Sequence, residues 1–94
     1  MRSDLPHGFQ AAQVAHAAGS WGRHPPETHV VVLSVTDEPS LRELSRKLDA
    51  AGVEHEVVVE VDPPYTGQAT CIGCSLVRDR RPVRKAVASL PLLR

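Results

Sequence analysis

The chain has 94 residues, balances eleven Lys plus Arg against eleven Asp plus Glu, and is 41% apolar with only 3% aromatic residues. That length holds one small domain, residues 1–94, with a modest core. The apolar share excludes a disordered chain, the zero formal net charge argues against a surface basic all over, and the scarcity of aromatics excludes base-stacking platforms.

In chain order, Met1 to Phe9 carries Asp4, Pro6 and Gly8, which suit turns and caps. Gln10 to Ala18 is alanine-rich and predicts a helix stopped by Gly19. Pro25 and Pro26 mark the stretch Gly22 to Thr28 as a loop. Val30 to Leu33, continued by Val35, reads as a strand covered on both faces. In the next segment, DEPSLRELSRKLDAAG, Thr36 or Asp37 caps, Pro39 fits the first turn and Gly52 lies beyond the end. Leu41, Leu44 and Leu48 form its buried stripe, and Glu43 with Lys47 gives an i,i+4 ion pair.

A second buried strand is expected at Val57 to Val61, making a right-handed strand–helix–strand unit with the first. Asp62 to Gln68 is a loop. Ala69 to Val77 is a third strand, and Pro82 opens a final helix that ends by Pro91. The fold class is α/β: a small mixed sheet of three to four strands flanked by helices, in three layers. The sheet is thin for strands of this character, as though a strand before Arg2 were missing.

No apolar run is long enough to span a bilayer, and two cysteines make no disulfide scaffold. The expectation is therefore a soluble, cytoplasmic protein without membrane contact.

Four groups of residues have chemical potential. Gln13 and His16 stand at i and i+3, neighbours on one side of a helix whose alanines allow close approach. Histidine is the side chain suited to proton exchange near neutrality. The loop holding Asp62, Thr66 and Thr70 follows a strand's carboxyl end, where ligands of open α/β sheets bind. Asp62 can orient an imidazole or a water, and the threonines can hold a hydroxyl or carbonyl. Cys71 and Cys74 lack the second pair of a structural zinc site and lie in a strand, so small buried residues are the better reading than metal or redox groups. Arg78, Arg80, Arg81, Arg84 and Lys85 form the local excess of positive charge and suit phosphates.

These pieces resemble the type II peptidyl-tRNA hydrolases. The resemblance rests on Arg2-Ser3-Asp4-Leu5, Gly8, Ala11-Ala12-Gln13-Val14-Ala15-His16-Ala17, Ala51-Gly52, Asp62 with Thr66, Gly67-Gln68-Ala69-Thr70 and Ile72-Gly73, and it spans nearly the whole chain. It implies an esterase that cleaves the bond between peptide and tRNA and recycles the tRNA without metal or organic cofactor. The implied catalytic residues are His16, Asp62, Thr66 and Thr70, with His16 oriented by Asp62 to activate a water and the threonines facing the oxyanion. The resemblance also implies that Gln13 lines the site, and from its charge the basic cluster Arg78, Arg80, Arg81, Arg84 and Lys85 is expected to bind substrate phosphates.

Three departures go with the likeness. Phe9 and Gln10 replace the family's lysine before Ala-Ala-Gln, the Asp62-Pro63-Pro64 loop is short, and the family's inner opening strand is missing. A strand upstream of Met1, or a second copy in a homodimer, is expected to cover that position. The alternative is an inactive relative serving as an RNA- or protein-interaction module, and a third reading is a truncated product.

Overall fold

The computed structural model describes residues 1–19, 30–75 and 79–93. These form three helices and a two-stranded antiparallel sheet, in the order α1 (His7–Gly19), α2 (Glu38–Ala50), β1 (His55–Val59), β2 (Ala69–Cys74) and α3 (Arg81–Val87). The class is mixed α/β. The Pro25–Pro26 loop, the end of the expected third strand at Leu76 and Val77, and Arg78 lie outside the described residues.

Local chemistry accounts for α2. Asp37 has extended backbone and its carboxylate accepts from the Ser40 amide at 2.9 Å, satisfying one of the donors that a helix start leaves open. Pro39 stands in the first turn, and Gly52 follows the end at φ +72°, a left-handed conformation that favours glycine. Leu41 and Leu48 are wholly buried and Leu44 half-buried, as the stripe predicts. The ion pairs differ from the expected Glu43–Lys47. Glu43 instead meets Arg46 at 2.7 Å, and Glu38 meets Arg42 at 3.3 Å. Apart from the half-buried Glu38 these groups are largely exposed, where rotamer choice among neighbouring cations changes the energy little.

The sheet departs from expectation. Among the described residues, the run from Val30 is joined only by single bridges, parallel from Val35 to Arg2 and antiparallel from Leu33 to Leu92. Residues 1–3 supply its pairing on one side: the Val35 amide donates to the Met1 carbonyl at 3.0 Å, and the Ser3 amide to the Val35 carbonyl at 2.8 Å. Val30 and Val31 are 65% and 67% exposed, so burial on both faces fails at that end. In β1, where side chains alternate between faces, only Val58 is buried; Val59, beyond a bulge in the pairing with β2, and Val61, past the strand's end, are exposed. Val57 and Val58 accordingly pack in different clusters. Val58 joins Met1, Leu5, Ala17 and Cys71. Val57 packs against Val35, Leu41 and Ala69.

Helix α1 rests on β2 at Gly73. A Cβ there would lie 2.7 Å from the Ala17 carbonyl oxygen, so the close approach requires glycine. Cys71 is buried and Cys74 half-buried, both are free, and burial pushes both thiols up. This suits unreactive packing groups. Among the described residues, no helix is long and apolar enough to cross a membrane.

Candidate active site

The contact of α1 with β2 and the loop 60–68 carries a buried polar network. Along α1, positions i, i+4 and i+8 face inward: Phe9 packs on Tyr65 with ring centroids 4.9 Å apart, Gln13 is buried, and Ala17 meets Gly73. Gln13 joins two elements distant in sequence. Its Oε1 accepts from the Thr70 hydroxyl at 2.8 Å, and its Nε2 donates to Glu60 Oε2 at 3.0 Å. Thr70 is wholly buried, and its hydroxyl also lies 3.3 Å from the Val58 carbonyl. No buried side-chain nitrogen or oxygen among the described residues lacks a partner, as a buried polar network requires.

Glu60, which the sequence reading did not single out, organises the loop. Its second oxygen accepts from the Val61 and Asp62 amides at 2.8 and 3.1 Å. Its own amide donates to the Gln68 carbonyl, and its carbonyl accepts from Gly67, the residue at φ +81°. The loop is thus closed on Glu60 and tied to α1 through the same carboxylate. Its only sequence signal is an acidic residue interrupting the Val57–Val61 run.

The other end of the loop is held by Arg2. This buried guanidinium grips Asp4 through Nε and Nη2 at 2.9 and 2.7 Å, while Nη1 donates to Gln68 Oε1 and to the Ala69 carbonyl at 2.8 and 3.1 Å. The Arg2 guanidinium holds the Asp4 carboxyl below the usual carboxylate range. Gln10, also buried, donates to the Arg2 carbonyl at 3.0 Å.

The sequence-predicted residues therefore separate into two groups. Gln13 and Thr70 are brought together, but inside the protein: the Thr70 hydroxyl is committed to Gln13 and Val58 rather than turned to solvent. His16 and Gln13 do not look the same way. Three residues advance a helix by less than a full turn, so with Gln13 buried His16 falls on the exposed flank. Asp62 and Thr66 are exposed on the loop. Among the described residues, Asp62 and His16 make no hydrogen bond or ion pair with each other, and the carboxylate that reaches α1 is that of Glu60.

The basic cluster stands at α3. Arg80, Arg81, Arg84 and Lys85 are exposed, and Arg81 is held by Asp79 through two contacts of 3.0 Å. Arg80, Arg84 and Lys85 enter no ion pair among the described residues. Those residues contain no group of three His, Cys, Asp or Glu side chains able to hold a metal.

Comparison with protein-family models, curated proteins and solved structures finds no match to this chain.

Proposed function

We propose that the chain is an esterase of the type II peptidyl-tRNA hydrolase kind, cleaving the ester between peptide and tRNA without a cofactor, in the cytoplasm. The observation that carries this reading is the 2.8 Å bond from Thr70 to Gln13, which ties the Ala-Ala-Gln-x-x-His segment to the Gly-x-x-Thr segment. Arg2, from the Arg-x-Asp segment, is bonded to the same loop end. Three motifs scattered over the sequence thus meet at one place, which neither composition nor helix propensity demands.

In this mechanism Gln13, Thr70 and Glu60 position α1 against the loop, and His16 stands at the surface as the general base. Its neutral imidazole takes the proton of a water attacking the ester carbonyl, and the departing 3′ hydroxyl recovers that proton. Asp62 and Thr66, on the exposed loop, bind the peptidyl end, and backbone N–H groups of the loop face the developing oxyanion. Arg80, Arg84 and Lys85, with Arg78, neutralise tRNA phosphates, and Arg81 joins them when Asp79 releases it. The reading extends the fold to a three-layer α/β/α arrangement with three to four strands, α1 on one face and α2 with α3 on the other. A homodimer through the exposed Val30 and Val31 belongs to the same proposal.

A second reading, a non-catalytic interaction module, is favoured by the lack of a His16–Asp62 pair and by the inward Thr70 hydroxyl. Incubation with a peptidyl-tRNA separates the two. The esterase releases free tRNA, and His16→Ala abolishes that release. The module binds tRNA with salt-sensitive affinity, weakened by Arg84→Ala and Lys85→Ala, and releases nothing.

A further inference from the structure

Away from the α1 contact, a second arrangement of reactive groups joins α2 to the start of β1. Ser45 and Asp49 are four residues apart on α2 and so project from one side of it. The chain leaves α2 through Gly52, the Val53 amide bonds back to the Leu48 carbonyl at 2.9 Å, and His55 is returned alongside the helix. Its Nε2 lies 2.7 Å from Ser45 Oγ, and its Nδ1 lies 2.8 Å from the Val53 carbonyl.

Those two distances determine the proton positions. A carbonyl only accepts, so Nδ1 carries the hydrogen and donates to Val53. In the neutral ring, Nε2 then holds the lone pair, and the Ser45 hydroxyl is the donor between them. Packing alone would accept either tautomer. The backbone here selects the one that makes Nε2 the base for Ser45, an arrangement of nucleophile, base and orienting group that recurs in acyl transfer. The ring is only 6% exposed, so the base sits largely out of water. Asp49 Oδ1 stands 3.8 Å from Nε2, placed to attract the imidazolium that forms when Nε2 takes the proton. That carboxylate is 74% exposed, and solvent screens its contribution. Ser45 itself is half-buried and so open on one side.

We propose that Ser45 is a nucleophile toward small carboxylic esters, with His55 as its general base. Ser45 Oγ bonds to the acyl carbon while its proton passes to His55 Nε2. The carbon–oxygen bond to the leaving group breaks, and His55 Nε2 passes the proton it holds to that oxygen, which departs as the alcohol and leaves the ring neutral. Water then attacks the acyl carbon as its proton passes to His55 Nε2; the bond to Ser45 Oγ breaks and that proton returns to Oγ, giving the carboxylic acid and free Ser45.

The test uses the whole chain and p-nitrophenyl acetate, with acetylated residues located by peptide mass spectrometry. Acetyl on Ser45 is expected in the native protein and lost on unfolding in urea, since the reactivity depends on the His55 contact. His55→Gln lowers Ser45 acetylation by about 100-fold or more, the usual reach of a positioned general base. His16→Ala leaves it unchanged, so failure here and failure of the α1-site reading are distinguishable. No acetyl on native Ser45, or equal labelling in urea, overturns the proposal without relying on the folding of any variant.

Discussion

Thr70→Val is the sharpest perturbation of the candidate site, since it keeps the side-chain shape and removes only the hydroxyl. Thr70 is 0% exposed, and its hydroxyl supplies the 2.8 Å bond to Gln13 Oε1. The substitution strands that acceptor in a place where Gln13 is itself buried. Leaving one buried polar atom without a partner costs about 1–3 kcal/mol. In a domain of this size each kcal/mol lowers the melting temperature by about 4–8 °C, so a fall of about 5–20 °C is expected by calorimetry or circular dichroism. Urea denaturation should show a lower midpoint with an unchanged slope, the sign of lost stability rather than altered compactness. Adding Gln13→Leu should cost less than the sum of the single changes, because the orphaned acceptor is then gone. A melting temperature for Thr70→Val within a degree or two of wild type would refute the claim that this bond anchors α1.

Gly73→Ala drives a Cβ to 2.7 Å from the Ala17 carbonyl, so α1 must shift; a lower melting temperature and weaker near-ultraviolet dichroism from Phe9 and Tyr65 are expected. Asp37→Ala removes the cap on α2 and should cost about 0.5–2 kcal/mol in urea denaturation. Acid should destabilise the fold. Asp4 and Glu38 titrate below their ordinary range because Arg2 holds the first and the Ala69 amide the second. Carboxyls depressed in the folded state stabilise it above the unfolded values and lose that contribution as pH falls through the folded ones. The melting temperature should therefore hold down to about pH 5 and drop below about pH 4, less steeply in Asp4→Asn. A rise on acidification would contradict this.

Helix α2 was readable because its determinants are local. Asp37, Pro39, Gly52 and the three leucines act within the helix or at most two residues beyond it. The Asp62 to Gln68 loop and the Pro82 helix opening were readable for the same reason. What the sequence could not supply was pairing. An apolar run such as Val30 to Val35 looks the same whether it is paired along its length or only by single bridges, and its bridges to Arg2 and Leu92 are set by distant residues. Glu60 was missed because its partner Gln13 lies 47 positions away, and an acidic residue ending a strand reads as an ordinary solvated charge. The pairing of Gln13 with His16 on one helical side was overdrawn: the rotation between them is enough to send one into the core and the other to solvent.

The central claim is that His16, presented by an α1 anchored through Gln13, Thr70 and Glu60, is the base of an ester-cleaving site. The most direct measurement is the single-turnover release of peptide from peptidyl-tRNA by wild type and by His16→Ala, with the melting temperatures of both recorded. His16 is exposed, so the variant should melt with wild type while its cleavage rate falls by about 100-fold or more. Equal rates for the two proteins, or no release by wild type above the buffer control, would contradict the account.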